Sequence, residues 1–210
     1  MLSVHGSRVL GCLMEKQLTT PDYYPLTLKA LTAACNQKSS RVPVMNLTLG
    51  EVGGVVNALR AEGLLTARMD GRADRYEQHL SRKLSLSTQQ RAVLCVLMLR
   101  GSLTLNEIRI STGRMVEFAD ADALQSLLDD MMVRDEPLLL RIARVAGQRE
   151  DRFAQLLCGK PDIETVSKTV VAAPAGSQAE SDRITRLEND VANLKEELKQ
   201  LRLSIELSKT

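Results

Sequence analysis

A short pattern occurs twice in this chain, first as Asp74-Arg75-Tyr76-Glu77-Gln78 and then, 77 residues later, as Asp151-Arg152-Phe153-Ala154-Gln155. Each copy follows a turn that contains glycine. Solenoid repeats have periods of about 20 to 50 residues, so the longer spacing favours duplication of a small domain. The sequence therefore predicts two related domains, residues 1–83 and residues 84–160. Arg75 and Arg152 hold equivalent positions in the two copies, which favours a fold-supporting salt bridge over a ligand contact.

The same helix-start chemistry appears at three places. In a capping box, a Ser or Thr side chain accepts a hydrogen bond from the backbone three residues on, and a Glu or Gln there returns one. The pairs with this spacing are Thr48 with Glu51, Ser87 with Gln90, and Thr104 with Glu107. They predict one helix that ends near Gly63 and two helices in the second domain.

Hairpin signals follow the helices in both domains. Residues 64–68 and 75–79 flank an Asp-Gly turn, and residues 138–144 and 152–156 flank a second glycine turn. Three helices followed by a β-hairpin is the order of a winged-helix domain, in which the hairpin forms the wing. The expected fold class is mainly α with small β-wings (α+β), built from two tandem winged-helix domains.

The C-terminal part of the chain has a different character. Residues 161–181 are small and polar without a sustained period, which predicts a flexible linker. Residues 182–208 carry apolar side chains at alternating spacings of three and four, which predicts a C-terminal coiled-coil helix. The residues of this dimerisation seam are Ile184, Leu187, Val191, Leu194, Leu198, Leu201 and Ile205.

The residues in and beside the seam favour a parallel homodimer. Branched residues at most a positions and leucine at every d position are typical of two-stranded parallel coils. In that arrangement the charged residues beside the seam form three pairs of opposite sign between the two chains. The alternative is an amphipathic helix that docks on the winged domains of its own chain. A docked surface helix has an apolar period of 3.6 residues, whereas the observed period is 3.5.

Composition limits the classes of function. The chain has three Tyr, two Phe and no Trp, which argues against a stacking platform for single-stranded nucleic acid. Its four cysteines form no C-x-x-C pair and lie among apolar or small neighbours, so we interpret them as packing residues. With two histidines and no recognisable catalytic motif, we expect no metal site, no cofactor and no enzyme activity. A signal segment and an apolar membrane span are not apparent, so we expect a cytoplasmic protein.

Net charge differs between the predicted domains. Residues 1–83 carry 11 basic and 7 acidic side chains, residues 84–160 carry 10 of each, and residues 161–210 carry 7 and 9. Binding to duplex DNA depends on cations that neutralise phosphates. Only the first domain has the charge expected of a DNA-binding surface.

The third helices themselves look poorly suited to reading base edges. The second one carries Asp120, Asp122, Asp129 and Asp130, whose negative charge repels phosphate. In the first domain, contacts to phosphates or to a groove could come from the third helix, a loop and the wing. The candidate nucleic-acid contacts are Lys38, Arg41, Asn57, Arg60, Arg68 and Arg72. The alternative is that these are ordinary solvated loop and strand charges.

Several motifs resemble those of a known family. The chain contains Pro21-Asp22-Tyr23-Tyr24-Pro25, then Asn36-Gln37-Lys38-Ser39-Ser40-Arg41-Val42-Pro43-Val44-Met45-Asn46, and later Gly147-Gln148-Arg149-Glu150. In these it is similar to the YceH family of uncharacterised bacterial proteins, over about residues 2–158. The resemblance implies a tandem winged-helix fold and supplies no established activity, substrate or cofactor. The heptad tail lies outside the matched region.

Two functions of different class remain open. The first is a DNA-associated regulatory protein that contacts double-stranded DNA through the loop and wing of the first domain. The second is an adaptor or scaffold that binds another protein, which the near-zero net charge and the acidic, glycine-containing third helices favour. Neither function requires a membrane.

Overall fold

The computed structural model describes residues 1–70, 73–144 and 149–161. Within these residues the fold is mixed α/β, with seven α-helices and two small antiparallel sheets. The sequence prediction of an α+β protein is therefore confirmed. The predicted linker from residue 162 onward and the predicted coiled-coil helix, residues 182–208 with its seam, lie outside the described residues.

The first half of the chain contains three principal helices and a three-stranded sheet. In chain order the elements are α1 (Val4–Thr19), β1 (Leu26–Thr27), α2 (Leu28–Cys35), α3 (Leu49–Ala61), β2 (Leu65–Asp70) and β3 (Ala73–Gln78). Strand β3 lies between β1 and β2, and both pairings are antiparallel. A short helix, α4 (Leu80–Lys83), follows β3.

The second half repeats this order. Its elements are α5 (Thr88–Arg100), α6 (Leu105–Thr112), α7 (Ala121–Met132), β4 (Leu139–Ile142) and β5 (Arg152–Gln155). Strands β4 and β5 form an antiparallel hairpin. A single bridge between Leu103 and Phe153 stands where the first half has β1. Each half thus has the predicted sequence of three helices and a hairpin.

The repeat extends to individual hydrogen bonds. Arg75 donates from Nη1 to the carbonyl oxygen of Pro25 at 3.0 Å, and Arg152 donates from Nη2 to the carbonyl oxygen of Ser102 at the same distance. Arg152 also forms an ion pair with Glu107 at 2.8 Å. Both arginines therefore hold the segment before the second helix of their half against the hairpin, and the predicted salt bridge is described for Arg152.

Local sequence signals explain where the helices begin. All three predicted capping boxes are present, at the starts of α3, α5 and α6. Helix α7 begins after Asp120, whose side chain accepts a hydrogen bond from the backbone N–H of Ala123. After α3, Gly63 has a φ of 67°, a left-handed conformation that favours glycine and ends the helix as expected.

The core is organised around the first helix of each half. Residues 6–15 of α1 and residues 92–99 of α5 are all buried, and the two helices pack against each other. Gly11 allows this approach, because a Cβ added there would lie 3.0 Å from Cδ2 of the buried Leu99. The described residues all belong to one compact unit.

Cysteines contribute to this packing. Cys12, Cys35 and Cys95 are buried and unoxidised, as the sequence predicted, whereas Cys158 is partly exposed. The thiol of Cys95 donates to the carbonyl oxygen of Gly11 at 3.3 Å, across the contact between α1 and α5. None of the described helices combines the length and the apolar character that a membrane crossing requires.

Two glycine substitutions should have opposite effects on stability. We expect Gly11→Ala to lower the free energy of unfolding by about 1 to 3 kcal/mol, because its methyl group would crowd α5. Gly54→Ala, in α3, meets open space and should raise it by about 0.5 to 1 kcal/mol through helix propensity. Denaturant unfolding of both variants tests this, and equal effects would contradict the described contact between α1 and α5.

Candidate functional site

The connection between α2 and α3 is a long loop, residues 36–48, that we call the clamped loop. It contains Lys38 and Arg41, two of the residues predicted to contact nucleic acid. Loops held on a rigid scaffold are common sites of binding. The contacts that hold this loop determine which of its side chains can meet a ligand.

A buried ion pair forms the centre of the clamp. Arg41 donates from Nη2 to Oε2 of Glu15, on α1, at 2.6 Å, and from Nη1 to Oε1 at 3.3 Å. The side chain of Arg41 is fully buried and that of Glu15 is 5% exposed. The guanidinium also donates to the carbonyl oxygen of Ala34 at 3.0 Å and to Oε1 of Gln37 at 2.9 Å. All these acceptors belong to the protein, so the guanidinium of Arg41 supports the fold and is not available to a ligand.

The charge of Glu15 is stabilised by its cationic neighbours. Burial alone would raise the pKa of the Glu15 carboxyl, but hydrogen bonds and charge from Arg41, together with Lys16 and Arg114, hold that pKa below its usual value. Lys16 lies 3.6 Å and Arg114 3.5 Å from the carboxylate. Glu15 therefore remains ionised at neutral pH.

Arg8 provides a second clamp from the same helix. It is 2% exposed and donates to the carbonyl oxygens of Cys35 at 3.0 Å and of Pro43 at 2.6 Å. Burial lowers the pKa of this guanidinium. One side chain of α1 thus fastens both the end of α2 and the middle of the clamped loop.

Further contacts fix the two ends of the clamped loop and join it to α5. The side chain of Asn36 donates to the carbonyl oxygen of Leu47 at 2.7 Å and accepts from its N–H at 2.8 Å. Ser40 has a φ of 59°, and its hydroxyl accepts from Nη2 of Arg100 at 2.7 Å. A left-handed serine persists only where its surroundings determine its conformation. The clamped loop is therefore preorganised.

The outer surface of the clamped loop is part polar and part apolar. Lys38 and Ser39 are exposed at its first bend. Val42 and Val44 follow, with 48% and 55% of their surfaces exposed. The loop therefore offers one free cation beside a small apolar patch.

Helix α3 carries two of the predicted contacts on its exposed side. Asn57 and Arg60 are both exposed, in the second half of the helix. Nearer its start, Gly50 and Gly54 leave open space where side chains would project. The carboxylate of Glu51 accepts hydrogen bonds from the N–H and the hydroxyl of Thr48, both at 2.7 Å. The acidic residue in the first turn is thus occupied in capping.

The first hairpin carries the remaining predicted contacts. Arg68, on β2, is 69% exposed and forms an ion pair with Glu77 of β3 at 3.1 Å. The side chain of Glu77 is only 16% exposed, so the pair is partly buried on its acidic side while the guanidinium of Arg68 faces solvent. Arg72 lies outside the described residues.

The outcome for the six predicted contacts is mixed. Lys38, Asn57, Arg60 and Arg68 are exposed, as a nucleic-acid contact requires. The prediction for Arg41 is wrong, because the guanidinium is buried and paired with Glu15. Sequence reasoning also missed Arg8, Arg100 and Glu15 as residues that shape the loop. Arg8 and Glu15 could have been found from the sequence, because each lies inside an apolar helical run, where a charged side chain must be buried with a partner.

The described residues contain no group of three or more His, Cys, Asp or Glu side chains that could bind a metal ion. What the clamped loop, α3 and the first hairpin do present is a set of separate cations and amides. Such a set can bind a polyanion.

Removing the Glu15–Arg41 pair should make stability less dependent on pH. Arg41→Met removes the closest partner of the buried Glu15 carboxylate, leaving only Lys16 and Arg114 near it, and should lower the free energy of unfolding by about 3 kcal/mol at neutral pH. Because the pKa of Glu15 is lower in the folded than in the unfolded chain, the pair stabilises the fold above the usual glutamate pKa of about 4.3. That stabilisation is lost as the pH falls through the lowered pKa of the folded state.

Denaturant unfolding between about pH 7 and pH 3 measures this contribution. The Glu15→Gln variant should lose less stability over that range than the unsubstituted chain. Identical pH profiles for the two proteins would show that the pair does not stabilise the fold.

Comparison with known proteins places the chain in a family. The family described as "Protein of unknown function, DUF480" matches residues 2–148. A UPF0502 protein of Cellvibrio japonicus is 44% identical over 210 residues, which cover 96% of this chain and 94% of that protein. UPF0502 proteins of Geobacter sulfurreducens and Pseudomonas fluorescens are 45% and 46% identical, over 89% and 95% of this chain and 87% and 93% of their own lengths. The chain therefore belongs to the DUF480 family, the YceH group of UPF0502 proteins.

Proposed function

We propose that the protein is a non-enzymatic, DNA-associated regulatory protein with two winged-helix domains, residues 1–83 and 84–160. The first domain contacts the backbone of double-stranded DNA through the clamped loop, α3 and the first hairpin. The C-terminal heptads join two chains in parallel, so that each duplex contact is presented twice.

The order of elements supports the winged-helix assignment. Each half has three helices, of which the third is followed by a two-stranded hairpin. In winged-helix proteins the third helix approaches the major groove, and the hairpin reaches the backbone or the minor groove. The exposed residues of α3 and the first hairpin therefore lie on the elements that would face a duplex.

One observation carries the DNA proposal. Each of the three elements expected to face the duplex presents an exposed cation, Lys38 on the clamped loop, Arg60 on α3 and Arg68 on the first hairpin. Phosphate contacts of this kind position a protein on DNA without specifying sequence. Asn57, exposed on α3, has the side-chain amide that pairs with adenine edges.

The clamped loop strengthens the proposal through its rigidity. Binding costs free energy when it immobilises a flexible segment. The protein already supplies that order through Arg8, Arg41 and Asn36, so Lys38 is displayed on a fixed backbone. The absence of side chains at Gly50 and Gly54 also lets the start of α3 come close to a partner.

The second candidate function is an adaptor that binds another protein, and one observation favours it. Val42 and Val44 on the clamped loop and Leu49 at the start of α3 are each about half exposed, at 48%, 55% and 51%. Apolar exposure on a rigid loop suits a protein partner better than a phosphate backbone. The DNA-associated function predicts binding of duplex DNA at low salt, whereas the adaptor function predicts binding of a protein instead.

Removal of two free cations from the first domain should weaken DNA binding. We expect Lys38→Gln with Arg60→Gln to lower the affinity for a mixed-sequence duplex about tenfold or more at about 50 mM salt, because two phosphates lose their partners. The slope of log affinity against log salt should fall in magnitude by about two. Fluorescence anisotropy with a labelled duplex measures both quantities.

The matched control removes the same charge elsewhere. Arg109→Gln with Lys160→Gln changes two exposed residues outside the clamped loop, α3 and the first hairpin, and should bind nearly as the unsubstituted chain does. If the unsubstituted chain fails to bind duplex at low salt, the DNA proposal is wrong. A partner recovered from nuclease-treated lysate and lost in Val44→Asp would then support the adaptor.

The dimer proposal has its own measurement. We expect light scattering to give the mass of a dimer for the full chain and of a monomer for Leu194→Lys, because a charge at a d position disrupts the seam. A monomeric mass for the unsubstituted chain would show that the heptads do not join two copies.

A further inference from the structure

A cleft of about 490 Å³ opens in the second half of the protein, between the β4–β5 hairpin and helices α6 and α7. Three arginines of the hairpin region line it, Arg141, Arg144 and Arg149, and two amides face them, Asn106 on α6 and Gln125 on α7. The net charge of residues 84–160 is zero, so it gave no indication that three guanidinium groups lie together.

The strand register explains why an arginine lies at this cleft. Arg141 is directly opposite Phe153 on the neighbouring strand, and opposite residues of an antiparallel pair share a face of the sheet. Phe153 is 2% exposed, so this face is the one that packs on the helices. The first half has Ala67 opposite Tyr76 at the same place. An arginine on the helix-facing side of the hairpin is therefore peculiar to the second half.

A single carboxylate arranges the arginines. Asp151 accepts from Nε of Arg141 at 2.7 Å through one oxygen and from the backbone N–H of Arg144 at 3.0 Å through the other. Arg144 in turn donates from Nη1 to the carbonyl oxygen of Arg149 at 3.2 Å. The N–H of Arg144 and the guanidinium of Arg141 hold the pKa of the Asp151 carboxyl below its usual value. Asp151 thus keeps its charge and fixes the cationic edge of the cleft.

The arginines retain capacity to bind a ligand. A guanidinium has five N–H donors in a fork that fits phosphate oxygens. The side chain of Arg141 is 55% exposed although it pairs with Asp151, and Arg144 and Arg149 are both exposed. Together with Glu150 and Asp151, the three arginines leave one net positive charge along the cleft.

The acidic residues of α7 do not line the cleft, since Asp122, Asp129 and Asp130 are not among its described lining residues. Asp129 lies next to it, because the amide of Gln125, a lining residue, donates to Oδ1 of Asp129 at 2.9 Å. The negative charge that argued against DNA binding by this half therefore belongs to a neighbouring part of the helix surface.

We infer that this cleft binds the phosphodiester backbone of duplex DNA, with Arg144 and Arg149 as phosphate contacts and Asn106 and Gln125 as additional donors. The inference rests on the proposed function, because it supplies a second contact region for the same ligand. A duplex that reaches both halves would be held by two sets of cations. The acidic face of another protein is the competing ligand for such a cleft.

The experiment compares four full-length proteins by anisotropy with a labelled mixed-sequence duplex at about 50 mM salt. They are the unsubstituted chain, Arg144→Gln with Arg149→Gln, Lys38→Gln with Arg60→Gln, and the control Arg109→Gln with Lys160→Gln. Each variant removes two positive charges from exposed positions. We expect the Arg144/Arg149 variant to lose affinity about tenfold or more and the control to change less than threefold.

A charge-retaining variant separates binding from folding. Arg144→Lys with Arg149→Lys should recover most of the lost affinity, because backbone contacts depend mainly on charge. Failure of this rescue, together with altered thermal unfolding of the glutamine variant, would assign the arginines a structural role and overturn the inference.

The remaining outcomes distinguish the inference from the proposed function. If only the Lys38/Arg60 variant loses affinity, the first domain binds DNA and the cleft does not. If only the Arg144/Arg149 variant loses it, the cleft binds and the proposed contacts of the first domain are wrong. Tighter binding of an oligoglutamate peptide than of duplex, lost in the Arg144/Arg149 variant, would overturn the inference in favour of an acidic protein partner.

Discussion

Residues 6–15 of α1 are buried on all sides of the helix, and this burial determines how the rest of the first half is arranged. One side of α1 packs on α2 and α3, and another packs on α5. Two charged residues inside this buried stretch, Arg8 and Glu15, must find partners there, because an unpaired buried charge costs several kcal/mol. The end of α2 and the clamped loop supply those partners, through the carbonyl oxygens of Cys35 and Pro43 and through Arg41. Its path is therefore a consequence of the charges within α1.

The two halves share a core and differ on their surfaces. Leu26 and Leu103 pair with the aromatic residue of their hairpin, and Arg75 and Arg152 reach equivalent carbonyl oxygens. The connection between the second and third helices, by contrast, spans residues 36–48 in the first half and 113–120 in the second. Exposed cations lie on the clamped loop and α3 in the first half, and beside the β4–β5 hairpin in the second half. Duplication kept the packing and left each surface to change independently.

Much of the fold could be predicted because its signals are local. The capping boxes at Thr48, Ser87 and Thr104 act within four residues, and hairpin turns within two to five. The candidate site was harder to predict. Arg41 lies in a polar stretch typical of a solvated loop. No residue near it in the sequence indicates that its partner is Glu15, on α1. Arg141 was overlooked for the same reason, since its importance depends on the face of the strand it occupies.

The sequence by itself determined the order of three helices and a hairpin in each half and the starts of three of those helices, but not the short helix α4 or strand β1. It could do so because capping, turn chemistry and apolar periodicity are properties of neighbouring residues. Apart from Arg75 and Arg152, only the tertiary structure decided which arginines are structural and which are exposed to a ligand. Arg8 and Arg41 are buried by elements distant in the chain, whereas Arg60 and Arg144 are left exposed. Burial of a charge depends on what packs against it from elsewhere, and a linear pattern does not contain that information.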